Sequence, residues 1–129
     1  MDAMEEIKQT FFLECEDLLT ALEEGLAHIN DGAVGDKEVV NAVFRAVHSI
    51  KGGAGAFGLA ELVRFAHKFE TALDDIRSDR MEATADVLKV MFRSADWLAD
   101  LVRASRGGDA IDAAKSDALI VELEALGGG

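Results

Sequence analysis

The chain of 129 residues contains no proline, whereas an average composition would give about six. Proline interrupts helices and marks many loops, so its absence favours long helices joined by glycine-containing turns. Half of the residues are hydrophobic, which is enough apolar surface for one domain of this length to close a core. The sequence therefore predicts a single domain over residues 1–126, followed by a glycine tail over residues 127–129 that we expect to be a linker end.

Apolar residues recur every three or four positions along almost the whole chain, as they do on the buried face of a helix. Four stretches of about 20 residues and a shorter fifth have this spacing, and none shows the sustained alternation of a strand. Such helices bury their stripes most simply as an all-α, up-down antiparallel four-helix bundle with an additional C-terminal helix. In the first helix the predicted stripe is Ile7, Phe11, Cys15, Leu18, Leu22, Leu26 and Ile29. The polar residues expected to cap the second, fourth and fifth helices are Asp36, Thr84 and either Asp109 or Asp112.

The charge balance excludes several classes of partner. The chain has 13 Lys and Arg against 25 Asp and Glu, a formal net charge of −12. This charge repels phosphate backbones and anionic membrane surfaces, so we expect neither nucleic acid nor membrane as a partner. No apolar run approaches the roughly 20 residues that span a bilayer. Cys15, the one cysteine, fits a buried helix position in a reducing compartment, which indicates a cytoplasmic protein.

The second helix has an unusual outward face. The predicted apolar stripe of this helix is formed by Val43, Val47 and Ile50. His48 lies opposite that stripe and is expected to project outward, with Lys51 one turn later. Gly52 and Gly53 follow directly, although each glycine inside a helix costs about 1 kcal/mol relative to alanine. One explanation is that Gly52 leaves room for a phosphoryl group or another molecule beside His48. The alternative is that the glycines only begin the end of the helix.

The third helix contains a second pair of functional candidates. His67 and Glu70 are three residues apart and therefore neighbours on a helix surface. If the second and third helices form a hairpin near Phe57, His48 and His67 lie at similar heights, since a helix rises about 1.5 Å per residue. We therefore expect His48, Lys51, His67 and Glu70 to converge on one rim of the bundle. By spacing alone, an ordinary surface histidine beside a carboxylate is the competing interpretation.

A metal site is the weaker interpretation of these residues. Structural zinc takes four nitrogen or sulfur ligands, whereas this chain has one cysteine and three histidines on different predicted faces. Repeated Glu-x-x-His pairs, which build di-iron bundles, are absent from the sequence. His28 has no partner motif and is expected to be an ordinary surface residue. The sequence therefore predicts neither a metal nor a cofactor bound by this domain.

Two segments resemble the histidine phosphotransfer (HPt) domains, most closely those at the N-terminus of chemotaxis histidine kinases. They are residues 48–58, HSIKGGAGAFG, and residues 67–70, HKFE. The resemblance extends over residues 4–126 and implies a four-helix core with an additional C-terminal helix. It also implies that His48 is the phosphorylated histidine, Lys51 a phosphate-facing lysine and Glu70 the carboxylate that holds the imidazole. His67 resembles the polar partner near this pair, and Gly52 the small residue beside the ring.

The resemblance also implies two protein partners. A separate ATP-binding histidine kinase domain would phosphorylate His48, and the receiver domain of a response regulator would accept the phosphoryl group on an aspartate. Neither a P-loop nor a kinase-type glycine loop occurs in the sequence, so ATP and Mg²⁺ are expected on the partner domains. Candidate docking residues are Phe12, Leu13 and Phe44, with core packing the alternative for Phe44. The competing function, from another class, is a non-catalytic acidic helical interaction module.

Overall fold

The computed structural model describes residues 2–32 and 37–128. Over these ranges the chain forms five helices: α1 (Ala3–Asn30), α2 (Lys37–Ala56), α3 (Ala60–Arg77), α4 (Ala85–Gly107) and α5 (Ala113–Gly128). The first four form a closed ring of neighbours, and α5 packs on the outside against α3 and α4. The predicted all-α bundle with an additional C-terminal helix is therefore confirmed. Among the described residues, no helix is both long and apolar enough to cross a membrane.

Polar side chains begin the helices where the sequence predicts caps. The hydroxyl of Thr84 accepts a hydrogen bond from the backbone of α4 at 3.2 Å. Asp112 rather than Asp109 begins α5, because Asp112 Oδ1 accepts from the backbone N–H groups of Ala114 and Lys115. Both arrangements satisfy backbone donors that have no partner inside the helix. The predicted cap Asp36 lies outside the described residues.

The helix α1 departs in part from the predicted stripe. Phe11, Cys15, Leu22, Leu26 and Ile29 are buried as predicted, but Ile7 is 57% exposed and Phe12 only 3% exposed. Phe11 already contacts Phe57 at the end of α2, so Ile7, one turn earlier, lies beyond that end. Phe12 is buried because α1 packs against α4 as well as α2, which widens its apolar face. The prediction that Phe12 is an available docking residue is therefore wrong.

The short turn between α2 and α3 determines which residues of the two helices lie opposite each other. The helix α2 remains regular through Gly52 and Gly53 and ends at Ala56, later than the glycine run suggests. Gly58 has a φ of 66°, in the left-handed region that glycine enters without steric cost. The backbone N–H of Leu59 then donates to the carbonyl of Ala54 at 3.0 Å. This tight turn sends α3 back along α2, so residues equally distant from it come face to face.

The helix α5 includes Gly127 and ends at Gly128. A methyl group on Gly127 would lie 2.6 Å from Oδ2 of Asp75, which places the end of α5 directly against α3. Gly129 lies outside the described residues.

Candidate functional site

The imidazole of His48 on α2 is held by a carboxylate from α3. Its Nδ1 lies 2.8 Å from Oε2 of Glu70. A carboxylate only accepts hydrogen bonds when ionised, so this contact places the hydrogen of the neutral ring on Nδ1 and leaves a lone pair on Nε2. The side chain of His48 is 58% exposed while that of Glu70 is only 13% exposed. The imidazole is therefore largely exposed to solvent, whereas the carboxylate that holds it is largely buried.

Lys51 completes the contacts of the same carboxylate. Its Nζ donates to Oε1 of Glu70 at 2.9 Å, and its side chain is 22% exposed. Each oxygen of Glu70 thus has one partner, and both partners come from one face of α2, three residues apart. Lys51 is therefore held against the largely buried Glu70 carboxylate, one turn after His48 in α2.

These contacts keep Glu70 ionised. Burial raises the pKa of the Glu70 carboxyl. Hydrogen bonds from Lys51 and then His48, together with the charges of these groups, lower the pKa by a larger amount, so it lies below its ordinary value of 4.5. An anionic Glu70 is the state that accepts from Nδ1–H and stabilises positive charge on the ring.

His67 is not brought into this cluster by any contact. It lies on the exposed side of α3 and lines a shallow groove against α5 together with Asp75 and Glu124. Its backbone carbonyl accepts from Thr71 at 3.0 Å, but its ring has no hydrogen bond or ion pair among the described residues. The structure therefore brings together His48, Lys51 and Glu70, and leaves His67 beside them.

The two consecutive glycines have different surroundings. A methyl group on Gly52 would meet no atom within 4 Å, whereas one on Gly53 would lie 2.2 Å from Cε1 of Phe11. Gly52 therefore leaves open space one turn after His48, and Gly53 allows α1 to approach α2. The two glycines therefore have different structural roles. Sequence reasoning suggested the open space at Gly52 but not the close approach of α1 at Gly53.

Two more side chains extend the cluster from His48: Phe44, which the sequence singled out only as a candidate docking residue, and Arg77, which it did not single out. The ring of Phe44 is stacked on the imidazole, with centroids 5.9 Å apart and planes inclined by 12°. The guanidinium carbon of Arg77, on α3, lies 3.8 Å from the centroid of the Phe44 ring. The spacing of four residues between Phe44 and His48 could have indicated the first contact, but no local pattern points to Arg77.

Among the described residues, no cluster of three or more His, Cys, Asp or Glu could hold a metal ion.

Comparison with known families agrees with this arrangement. The Hpt domain family matches residues 6–126, which include all three clustered side chains. The chain belongs to the Hpt domain family. The Hpt domain is 64% identical over 126 residues to the chemotaxis protein CheA of Rhizobium meliloti strain 1021, covering 98% of this chain and 16% of that protein. It is 50% identical to CheA of Cereibacter sphaeroides, covering 95% of this chain and 18% of that protein. It therefore spans less than a fifth of the length of these curated relatives.

Solved structures share the architecture of this Hpt domain. The solution structure of the histidine phosphotransfer domain of CheA superimposes with a TM-score of 0.83 at 26% identity, covering 98% of this chain and 95% of that one. The phosphorylated P1 domain of CheA3, crystallised in complex with CheY6 from R. sphaeroides, gives a TM-score of 0.80 at 24% identity, covering 93% and 94%. The second of these shows similarity of fold.

Proposed function

We propose that this Hpt domain is the phosphotransfer module of a chemotaxis histidine kinase, with His48 as the phosphoacceptor. The observation that carries the proposal is the contact between Nδ1 of His48 and the buried Glu70 carboxylate at 2.8 Å. It fixes the tautomer that has its lone pair on Nε2, on a ring that is largely exposed. Because more than half of the His48 side chain is exposed, the ring is open to approach by a separate protein domain.

The residues of the cluster account for the chemistry of phosphorylation. The lone pair of Nε2 forms a bond to the γ-phosphorus of ATP while the bond from that phosphorus to the bridging oxygen breaks, and ADP leaves with its electron pair. Positive charge develops on the ring, and Glu70 stabilises it through Nδ1–H. Lys51, one turn from His48, places a cation near the phosphoryl oxygens, over which the negative charge of the transition state is spread.

Both partners of the reaction lie on other domains in this proposal. The donor is an ATP-binding histidine kinase domain, and ATP and Mg²⁺ belong to the partner domains, with no cofactor held by this one. The acceptor is an aspartate on a response-regulator receiver domain. In that step the N–P bond breaks, a carboxylate oxygen forms the new bond to phosphorus, and the electron pair returns to Nε2. The names of the CheA relatives and the complex of a related P1 domain with CheY6 support both assignments and a cytoplasmic location.

His67 has an indirect role in the proposal. It is one turn before Glu70 on the exposed side of α3, close enough along the helix to influence hydrogen bonding around the carboxylate. Because its ring has no contact with the cluster among the described residues, we assign it a tuning role, separate from the direct roles of His48, Lys51 and Glu70.

Transfer of labelled phosphate tests the proposal directly. The purified domain is incubated with γ-³²P-labelled ATP and the kinase portion of R. meliloti CheA, whose phosphotransfer segment has been removed. We expect acid-labile, base-stable label on the wild type and on His28→Gln, which alters an exposed histidine of α1, and none on His48→Gln. Absence of label on the wild type, or label on His48→Gln, would contradict the proposal and favour a non-catalytic interaction module.

A further inference from the structure

The imidazole of His48 has a second neighbour that the phosphotransfer chemistry does not use. Phe44 precedes it by one helical turn, and the two rings are 5.9 Å apart at their centroids with nearly parallel planes, inclined by 12°. This is an offset-stacked arrangement, within the range of distances in which aromatic rings attract each other. One face of the His48 imidazole therefore lies beside the phenyl ring of Phe44.

Phe44 is itself held from α3. The guanidinium of Arg77 lies over its ring at 3.8 Å from the centroid, the geometry of a cation–π contact. Asp74 in turn anchors Arg77, accepting from its Nε at 3.0 Å. Phe44 also packs at the margin of the hydrophobic core as a partly buried side chain. A continuous chain of contacts thus runs from Asp74 through Arg77 and Phe44 to His48.

We propose that Phe44 is a positioning residue for His48, with Arg77 as its anchor. A single hydrogen bond at Nδ1 fixes one atom of the imidazole but leaves the ring able to tilt about that point. A parallel ring beside it restrains the tilt, so Glu70 and Phe44 together set the direction of the Nε2 lone pair. Transfer of a phosphoryl group requires the attacking and leaving atoms roughly in line, so this direction affects the rate. The inference rests on the proposed function and adds an orienting role to it.

The competing explanation is that Phe44 serves only as core packing, and a matched substitution separates the two. Phe44→Leu keeps a large apolar side chain but removes the aromatic ring. Phe92→Leu makes the same change on α4, at another partly buried phenylalanine at the margin of the core. Phe44→Tyr retains the ring face and serves as the rescue variant. Thermal unfolding of each variant checks that it is folded.

Two measurements then test the role of Phe44. In labelling with the kinase portion of CheA, we expect Phe44→Leu to be phosphorylated about tenfold more slowly, as a modest misplacement of a reacting group predicts. The phosphorylation rate of Phe44→Tyr should stay within about twofold of the wild type, because an aromatic ring remains beside His48. The rate of Phe92→Leu should stay within the same range, because Phe92 has no ring contact with His48 among the described residues. In NMR spectra of the unphosphorylated domain, ¹³C and ¹⁵N relaxation should show greater mobility of the His48 ring in Phe44→Leu alone.

The NMR measurement does not depend on phosphorylation, so it keeps failure of the positioning role distinct from failure of the proposed function. If the wild type takes no label but the ring is more mobile in Phe44→Leu, the proposed function fails and the restraint by Phe44 stands. If ring mobility is the same in Phe44→Leu and the wild type, the positioning role is overturned. Equal slowing of Phe92→Leu and Phe44→Leu would also overturn it, because general loosening of the core would then explain the rates.

Discussion

Gly53 of α2 lies directly beneath the ring of Phe11 on α1, so closely that a methyl group on Gly53 would be 2.2 Å from Cε1 of that ring. The ring has little freedom to move, because its centroid is 5.1 Å from that of Phe12 and 5.6 Å from that of Phe57. The contact therefore joins α1 to α2 near the α2–α3 turn, within two turns of His48.

The two adjacent glycines should respond in opposite ways to alanine. We expect Gly53→Ala to lower the free energy of unfolding by about 1–3 kcal/mol through overpacking against Phe11. Gly52→Ala should raise it by about 1 kcal/mol, since alanine favours the helix and the site is open. Gly52→Ala should nevertheless slow phosphorylation of His48, because the methyl group occupies space one turn away. Urea unfolding and labelling rates measure both effects, and stability changes of the same sign would contradict this account.

How far the sequence predicts the structure depends on the range of the interactions. Helix existence, the Thr84 cap and the meeting of His48 with Glu70 follow from local spacing and from a short hairpin turn. These features depend on interactions within one helix or across one connection. They are therefore readable from periodicity, capping residues and distance from the turn.

The features that sequence reasoning missed depend on pairs of helices. The buried position of Phe12 requires that α4 cover a second side of α1, and the exposure of Ile7 requires that α2 end before it. The contact between Arg77 and Phe44 likewise joins residues 33 positions apart on two helices. A single helical stripe gives the direction of the core but neither the width of the buried face nor the length of the neighbouring helix.

Cys15 should be chemically inert in the folded domain. Burial, and secondarily the charge of Glu14, raises the pKa of its thiol to about 12, so almost no thiolate, the reactive form, is present at neutral pH. We expect iodoacetamide at pH 8 to leave the native protein unmodified over hours and to alkylate it rapidly in urea, as read by mass spectrometry. Rapid alkylation without denaturant would show that the region of α1 around Cys15 opens readily.

Substitution of His67 should separate tuning from direct participation. Because its ring makes no contact with the cluster among the described residues, His67→Gln should slow phosphorylation by less than about threefold. Glu70→Gln removes the anion that supports His48 and should slow it by about tenfold or more. Both variants should retain the helical circular dichroism of the wild type. A larger loss in His67→Gln than in Glu70→Gln would place His67 in the phosphotransfer step itself.

The contact between Lys51 and Glu70 should be measurable as a coupling between the two side chains. The contact is a charge-assisted hydrogen bond between largely buried groups. In a double-mutant cycle of Lys51→Met and Glu70→Gln, measured by the free energy of unfolding, we therefore expect a coupling energy of about 1 kcal/mol. The corresponding cycle of Lys68→Met and Glu124→Gln tests an exposed pair at 3.4 Å and should give a smaller coupling. Equal couplings in the two cycles would indicate that Lys51 and Glu70 do not interact in solution as they do in the structure.

The lowered pKa of Glu70 makes a specific prediction about stability at acid pH. Its pKa in the folded domain lies below the ordinary value of 4.5 because Lys51 and His48 donate hydrogen bonds to it, despite the opposing effect of burial. The unfolded chain therefore binds the proton first as the pH falls, and folding favours the ionised form. The stabilising contribution is complete above the unfolded pKa of about 4.5 and is lost as the pH falls through the lower folded pKa.

Urea unfolding of the wild type and Glu70→Gln between pH 7 and pH 3 measures this contribution. The difference in free energy of unfolding between them should be nearly constant at neutral pH and should shrink below about pH 4.5, as linkage requires. Glu24→Gln, which neutralises an exposed carboxylate of α1, controls for the change in net charge of an acidic protein. If the difference stays constant down to pH 3 or grows, the carboxylate of Glu70 is not preferentially ionised in the folded state, and the support it gives to Nδ1–H of His48 would have to come from another group.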